Sequence, residues 1–407
     1  MKEKLLAVIV DKNFKGVSNF IPKEIFDGYF FTNENDALDF INKEKNFDVI
    51  ATIGENSEEF PILYNSSFDI RKKWVNFKIY NEADIEQALV STFLLNIERD
   101  RERNKLFSIF TCAYKTTSAQ FERLYNSLKS QTYNNWNWWI LDDSPNDYEM
   151  EWLKTVNDSR ITVIRNYTHH GSIGFNKHII AMACDGDYLV EVDHDDELTA
   201  DCLECLYRAF DEHPDSKFVY SDTLEMVGEH TSVNYGDKFS CGQGIYKKEN
   251  VNGWNYNIAV TAPCINSRSI RSIHAQPNHV RAWEKKFYHS INGHYEELSV
   301  CDDMELLIRT FLYTKMTHVN KVLYIQYELG RGANEAINNN TQTKRFKTIQ
   351  FLNYFIKRKY DKQIHERILE LGFKDTAWNE EKQQSEINDE SFEIIDYGYQ
   401  FYPEVKM

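Results

Sequence analysis

The stretch GDYLVEVDHDDELT, residues 186–199, decides how we interpret this sequence. It opens with an apolar, β-branched run that is typical of a buried strand. It then places four acids within five positions: Asp193, Asp195, Asp196 and Glu197. Carboxylates this crowded repel one another unless a cation lies between them. The stretch therefore predicts a strand that ends at a cation-binding site.

Strand-like and helix-like runs alternate on the N-terminal side of this stretch. Because strands that alternate with helices form mostly parallel sheets with covered faces, the expected fold class is α/β. Ligands of such sheets bind beyond the carboxyl ends of the strands. The predicted order is strand 106–114, helix 118–131, strand 136–144, strand 160–166, helix 173–184 and strand 187–196.

The pattern divides the 407-residue chain into five segments. We expect a small α/β domain without an assignable role over residues 1–82 and a helical connector over 83–104. A catalytic domain is expected over 105–332. C-terminal helices should follow over 333–374, and the acidic tail, 375–407, should be solvated and partly mobile.

Composition narrows the class of protein. A formal net charge of −16 argues against a nucleic acid as partner or acceptor, although a local basic groove stays open. The seven scattered cysteines fit a reducing compartment, and Cys202 and Cys205 suit a buried helix better than a zinc site. No run approaches the roughly 20 apolar residues of a membrane span. We expect a cytoplasmic protein, free or peripheral to a membrane.

Three interpretations compete for the acids at 193–197. A calcium loop of the EF-hand type needs glycine where Leu198 stands, and it needs a helix rather than a strand in front. Capping of the following helix by Asp195 or Asp196 would employ one acid and leave the others unexplained. A Mg²⁺ or Mn²⁺ ion, held by one or two carboxylates and by substrate phosphates, accounts for both position and charge.

Four blocks extend the third interpretation: FTCAYKTT (110–117), SLKSQTYNNWNWWILDDS (127–144), GSIGFNKHIIAMACDGDYLVEVDHDDELT (171–199) and HSINGHYEELSVCDDMELLIRTFL (289–312). In order and spacing they resemble the family 2 glycosyltransferases of the GT-A fold, over about residues 106–330. The resemblance implies a Rossmann-like, mostly parallel sheet flanked by helices. It also implies inverting, metal-dependent transfer of a sugar from a nucleotide diphosphate-sugar, with UDP favoured, to an acceptor hydroxyl.

The resemblance also implies a donor-nucleotide site. By similarity, Thr111 and Tyr114 lie against the base, and Asp143 accepts a hydrogen bond from a base N–H with Asp142 beside it. Turn and N-cap chemistry is the open alternative for this acidic pair. Lys177 stands near the nucleotide, at a position where the usual residue is Arg.

The motif Asp193–His194–Asp195 matches the family's DxD motif. Asp195 is then the expected direct ligand of Mn²⁺ or Mg²⁺, and Asp193 reaches the ribose or the metal. Asp196 is expected to support this site or to cap the following helix.

The acceptor side is expected in the last block. By resemblance, Asp303 is the general base and Asp302 its neighbour, with helix N-capping as the alternative for both. Gly293 belongs to the acceptor loop, where Asn292 replaces the first of two common glycines. Trp283 is a candidate platform for a sugar ring, with a core aromatic as the alternative.

Two other functions compete with glycosyl transfer. Nucleotidyltransferases of a related fold need a Gly-rich loop after the first strand, and TCAYKTTSAQ (111–120) has no glycine. A glycan- or partner-binding module that kept the fold and lost turnover is the alternative, although it would not need acids at both 193–195 and 302–303. A glycan, a lipid-linked saccharide, a protein or a modified nucleic-acid base stays open as acceptor.

Overall fold

The structure is a computed structural model in which the chain folds into two compact units, residues 1–105 and 106–407. It describes residues 5–12, 26–44, 47, 49–54, 59–64, 66, 70, 73–77, 105–168, 171–327, 340–386 and 404–405. The second unit contains all four of the sequence blocks quoted above.

In the part of the N-terminal unit that the structure describes, a parallel four-stranded sheet is accompanied by two helices. Its strands are β1 (Leu5–Asp11), β2 (Phe26–Phe31), β3 (Val49–Ile53) and β4 (Trp74–Phe77), and its helices are α1 (Glu34–Glu44) and α2 (Pro61–Tyr64). The strand order is β2-β1-β3-β4, all parallel. The predicted α/β unit is confirmed, whereas the predicted connector, 83–104, lies outside the described residues.

The second unit is built on one large sheet. The strands of this sheet are β5 (Phe107–Ala113), β6 (Trp136–Asp142), β7 (Ile161–Arg165), β8 (Tyr188–Glu191), β9 (Glu197–Leu198), β10 (Ser216–Gly228), β11 (Thr231–Ser232), β14 (Arg281–Glu284), β15 (Lys315–Tyr327) and β18 (Glu404–Val405). Two separate two-stranded sheets are formed by β12 (Ile245–Val251) with β13 (Trp254–Val260) and by β16 (Trp378–Asn379) with β17 (Gln384–Ser385). The main order is β7-β6-β5-β8-β14-β10-β15-β18. In this series β14 alone runs antiparallel to its neighbours.

Helices accompany this sheet, among them the two that the sequence predicted over 118–131 and 173–184. They are α3 (Ser118–Lys129), α4 (Glu151–Thr155), α5 (Ile173–Ala183), α6 (Cys202–Glu212), α7 (Lys285–Ser290), α8 (Asp302–Tyr313) and α9 (Asn340–Glu370). A capping box of Thr117 and Gln120 opens α3, because each side chain accepts a hydrogen bond from the other's backbone N–H. The mostly parallel α/β fold with covering helices is confirmed. Among the described helices, none is both long and apolar enough to cross a membrane.

The C-terminal region differs from the expectation in two ways. The predicted pair of helices over 333–374 is one continuous helix, α9, within the described residues. The start of the acidic tail is held in place, because the fully buried Arg271 donates to Asp361 at 2.7 Å and to Asp375 at 2.8 Å. Charge composition predicted solvation, but a buried arginine outside the tail provides the partner for its first acid.

Candidate active site

Acidic side chains gather where neighbouring parallel strands end. Glu191 is the last residue of β8 and pairs in register with Phe110 of β5, and Asp142 ends β6 opposite Ala113. Asp193 follows two residues after Glu191. The edge of the sheet that the sequence predicted is therefore the edge where these carboxylates meet.

Glu191 is the buried centre of a charge network. The Lys177 Nζ lies 2.5 Å from its Oε1, and an Arg281 guanidinium nitrogen lies 3.8 Å from its Oε2. Burial alone would raise the pKa of Glu191, but the positive charges of Lys177 and Arg281 hold it well below the usual range. Glu191 is therefore an ionised carboxylate inside the protein, with two cations beside it.

Glu191, Asp193 and His279 form a candidate metal centre. One ligand atom from each residue lies within 4.8 Å of the others, and the His279 Nε2 is 3.8 Å from a carboxylate oxygen of each acid. Neither ring nitrogen of the buried His279 has a hydrogen-bond partner, and the Glu191 Oε2 also lacks one. Two carboxylates and an imidazole suit a divalent cation such as Mn²⁺. The residues therefore fit the expected metal.

The other acids of the loop are placed differently from this cluster. Asp195, the expected direct ligand, is half-buried and is not among the three converging residues. Asp196 is buried, accepts hydrogen bonds from the Tyr324 hydroxyl at 2.7 Å and from the Tyr327 N–H at 2.8 Å, and has its pKa raised to about 8 by burial and by Asp193. Neither acid caps α6, because Asp201 holds the N-cap position.

Asp302 and Asp303 open helix α8 beside this network. Asp303 is half-buried and accepts hydrogen bonds from Arg281 at 3.2 Å and from the Met304 N–H at 2.7 Å. Burial favours a higher pKa for Asp303, but Arg281 and Lys177 outweigh it and hold the pKa below the ordinary value. Asp303 is therefore ionised at neutral pH and can accept a proton.

Asp302 is more deeply buried than its neighbour. Its Oδ2 has no hydrogen-bond partner and lies 3.6 Å from the His294 Nε2 and 4.0 Å from the Lys177 Nζ. Burial raises the pKa of Asp302 to about 7, with Lys177 opposing the shift and Asp303 adding to it. Adjacent carboxyl groups whose pKa values are pushed apart are typical of sites for acid–base chemistry.

Four of the expected nucleotide residues lie at the ends of β5 and β6: Thr111 and Asp142 within the strands, and Tyr114 and Asp143 directly after them. The Thr111 hydroxyl is buried and accepts from the Trp138 indole at 2.9 Å, whereas Tyr114 is exposed. Asp142 pairs with Arg165 and accepts from the Ser144 N–H, which is turn chemistry. These contacts direct the Thr111 and Asp142 side chains into the protein. If Thr111 contacts the base, the contact must therefore come from its backbone.

Asp143 is placed at the carboxyl end of β6, as expected. Its two carboxylate oxygens accept hydrogen bonds from the Asn166 side-chain amide at 2.7 Å and from the Gly171 N–H at 3.0 Å. A base N–H would therefore share a carboxylate that already organises the loop around Gly171.

For Trp283 the structure shows the core aromatic that the sequence left open as the alternative to a sugar platform. It is fully buried in the core of the second unit, and its indole N–H donates to Thr310 at 3.1 Å, so no ring face is open to a sugar. Gly293 is required by the backbone conformation of its loop. Its φ is +51°, and a Cβ at this position would lie 2.4 Å from the Tyr288 ring. Its carbonyl accepts from Arg309.

Sequence reasoning missed Glu191, His279, Arg281 and His294. The sequence did contain a signal for Glu191. Residues two apart on a strand face the same side, and Glu191 precedes Asp193 by two positions. No local sequence pattern marked His279 or Arg281 as site residues. They reach the site because β14 pairs antiparallel with β8 and sets Arg281 opposite Glu191.

Comparisons with known proteins agree with this architecture. Residues 108–274 match the family described as glycosyl transferase family 2. An uncharacterized protein of Sinorhizobium fredii is 30% identical over 145 residues, which are 35% of this chain and 16% of that protein. The putative colanic acid biosynthesis glycosyl transferase WcaA of Escherichia coli K12 is 28% identical over 130 residues, 31% of this chain and 46% of WcaA. The match thus spans less than half of either relative.

Solved structures also resemble this chain. Residues 1–349 of Staphylococcus aureus TarS, in complex with UDP-GlcNAc, align with a TM-score of 0.46 and 16% identity, covering 65% of this chain and 72% of that fragment. A mannosyltransferase from Pyrobaculum calidifontis, in complex with GDP-Man and Mn²⁺, aligns with a TM-score of 0.37 and 12% identity, covering 56% of this chain and 58% of that one.

Proposed function

We propose that this chain, whose residues 108–274 match the family described as glycosyl transferase family 2, transfers a sugar from a nucleotide diphosphate-sugar to an acceptor hydroxyl with inversion. The observation that carries the proposal is the meeting of two groups at one sheet edge. Glu191, Asp193 and His279 offer ligands for a divalent cation. Asp303 offers an ionised carboxylate in the same charge network, linked to Glu191 through Arg281.

The donor's diphosphate is proposed to lie at Asp193. Glu191, Asp193 and His279 would hold Mn²⁺ or Mg²⁺ there, with Asp195 as the further ligand that the DxD resemblance implies. A cation at this position supplies positive charge to the departing diphosphate. Lys177 and Arg281 hold the Glu191 carboxylate in its charged form, so that it is ready to bind without a change in protonation.

The nucleoside is proposed to extend from Asp193 toward the ends of β5 and β6. Tyr114 offers an exposed ring for the base, and Asp143 offers a carboxylate to a base N–H. A uridine base is the expectation that the family resemblance implies.

Asp303 is the proposed general base. As the acceptor oxygen bonds to the anomeric carbon, the bond from that carbon to the diphosphate oxygen breaks, and the acceptor proton passes to the Asp303 carboxylate. Arg281 fixes the orientation of this carboxylate through its 3.2 Å hydrogen bond. One displacement inverts the anomeric centre, and no covalent enzyme intermediate is required.

The ligand set is tested by titrating Mn²⁺ calorimetrically in the presence of uridine diphosphate. We expect His279→Gln to weaken Mn²⁺ binding about tenfold or more, because it removes the only nitrogen ligand of the cluster. His289→Gln is the matched control, since His289 lies on α7 outside the cluster. If Asp195→Asn weakens binding while His279→Gln does not, the DxD pair holds the cation and the converging cluster does not.

A further inference from the structure

A cavity of about 460 Å³ lies among the β12–β13 hairpin, the far part of β10 and the end of β15. Its volume falls within the range of small-molecule sites. Apolar side chains of the three elements form its floor. Its aromatic and polar lining residues include Glu197, His230, Asn252, Trp254, Tyr256 and Tyr327.

A stacked pair of rings forms one wall of this cavity. The His230 and Trp254 rings lie 3.7 Å apart between centroids and within 19° of parallel. The His230 Nδ1 is 3.3 Å from the Tyr256 hydroxyl. Trp254 keeps 53% of its surface exposed. Folding alone favours burial of a large aromatic side chain. A solvent-exposed one beside a concave surface therefore indicates a binding face.

The hairpin that carries Trp254 is anchored to the sheet. Lys247 of β12 forms ion pairs with the buried Asp222 and with Glu249. Glu249 also accepts a hydrogen bond from the Val322 N–H at 2.9 Å. These polar contacts, together with the backbone pairing of β12 and β13, hold Trp254 in a fixed position, which reduces the entropy lost on binding.

Tyr327 joins this cavity to the acidic loop. Its hydroxyl donates to Glu197 at 2.6 Å, its N–H donates to Asp196 at 2.8 Å, and its ring lies 3.8 Å from the Arg123 guanidinium. Arg123 in turn donates to the Asp195 carbonyl. Tyr327 and Arg123 therefore connect the cavity to the acidic loop that follows Asp193.

The charges of the cavity disfavour a phosphate-bearing ligand. The described residues that line it include the carboxylates Glu197 and Glu229, and none of them is a lysine or an arginine. A neutral ligand with an apolar face and a polar rim fits better. A pyranose has this form, because its C–H face can lie on an aromatic ring while its hydroxyls meet carboxylate and amide groups.

We propose that this cavity binds a pyranose unit of the acceptor, stacked on Trp254 with hydroxyls directed to Glu197 and Asn252. This acceptor role rests on the proposed glycosyl transfer. It places the acceptor chain on the side of the acidic loop opposite the strand ends β5 and β6, where the donor nucleoside is expected.

The test is ¹⁹F NMR on the full chain labelled with 5-fluorotryptophan, with the Trp254 signal identified by its loss in Trp254→Phe. The probes are methyl glycosides of glucose, galactose, mannose and N-acetylglucosamine, and the disaccharides cellobiose, lactose and maltose. We expect a saturable shift of the Trp254 signal with at least one probe. His230→Ala should raise the Kd about two- to tenfold, whereas Tyr313→Ala, at the far end of α8, should not change it.

Two results would overturn the proposal: no saccharide shifts the Trp254 signal, whether or not hexanol does, or uridine diphosphate shifts it. Hydrolysis of nucleotide sugars by the wild-type protein is followed in parallel. Hydrolysis without a saccharide-induced shift of the Trp254 signal would reject the proposal that the cavity binds the acceptor, and it would leave the proposed glycosyl transfer standing. A saccharide response without hydrolysis or nucleotide binding would reject the transferase and keep the sugar site.

Discussion

Replacing Asp303 by Asn is expected to lower kcat for sugar transfer by about 10²–10⁴-fold, the range for loss of a positioned general base. The side-chain amide can still accept from Arg281, so the fold and the Arg281 position should persist. The KM for the donor should change little, because Asp303 is proposed to act on the acceptor proton. Steady-state kinetics with saturating Mn²⁺ measure both parameters.

Glu297→Gln is the matched control for this experiment, since Glu297 is an exposed acid in the loop that precedes α8. Its kcat should stay near that of the wild-type protein. Thermal unfolding of both variants checks that the fold is retained. A folded Asp303→Asn protein with wild-type kcat would show that another group accepts the proton.

Replacing Lys177 by Met is expected to destabilise the protein by about 3–5 kcal/mol, because it leaves a buried carboxylate without its nearest cation. The Lys177 Nζ is 2.5 Å from Glu191, whereas the closest Arg281 nitrogen is 3.8 Å away. Urea unfolding in the absence of metal measures the change. The exposed Lys286→Met is the control and should shift stability by no more than about 0.5 kcal/mol.

A double-mutant cycle with Glu191→Gln separates the ion pair from the loss of the lysine stem. If the charge pair is responsible, Lys177→Met should cost much less in the Glu191→Gln background. A loss below about 1 kcal/mol in the wild-type background would mean that Glu191 is not held as a buried anion. The charge balance proposed for the site would then be wrong.

Local sequence pattern predicted the elements that carry the site. The apolar runs before Asp142 and Asp193 predicted strands β6 and β8, and the helical period after Asp302 predicted α8. These signals are strong because buried strands and amphipathic helices repeat within a few residues. The parallel topology then placed both acids at one edge of the sheet.

Features set by distant parts of the chain were not predictable in this way. His279 joins Asp193 only because β14 runs antiparallel beside β8, and no local period encodes that pairing. Trp283 follows on the same strand, where its ring is covered by core residues. Trp254 is the opposite case, an exposed strand aromatic. Its exposure depends on which surface of the hairpin the large sheet leaves uncovered, and local sequence does not specify this.

The most direct test of the central claim is the thermal stabilisation of the protein by nucleotide diphosphates and nucleotide sugars, with and without Mn²⁺. Asp193 is the residue on which the sequence motif and the geometry agree, so Asp193→Ala is the variant to compare. A ligand that binds the folded state raises Tm. We predict a Mn²⁺-dependent rise with one nucleotide, uridine diphosphate first, that Asp193→Ala abolishes. No rise with any nucleotide, or an equal rise in Asp193→Ala, would contradict a metal-dependent donor site at this sheet edge.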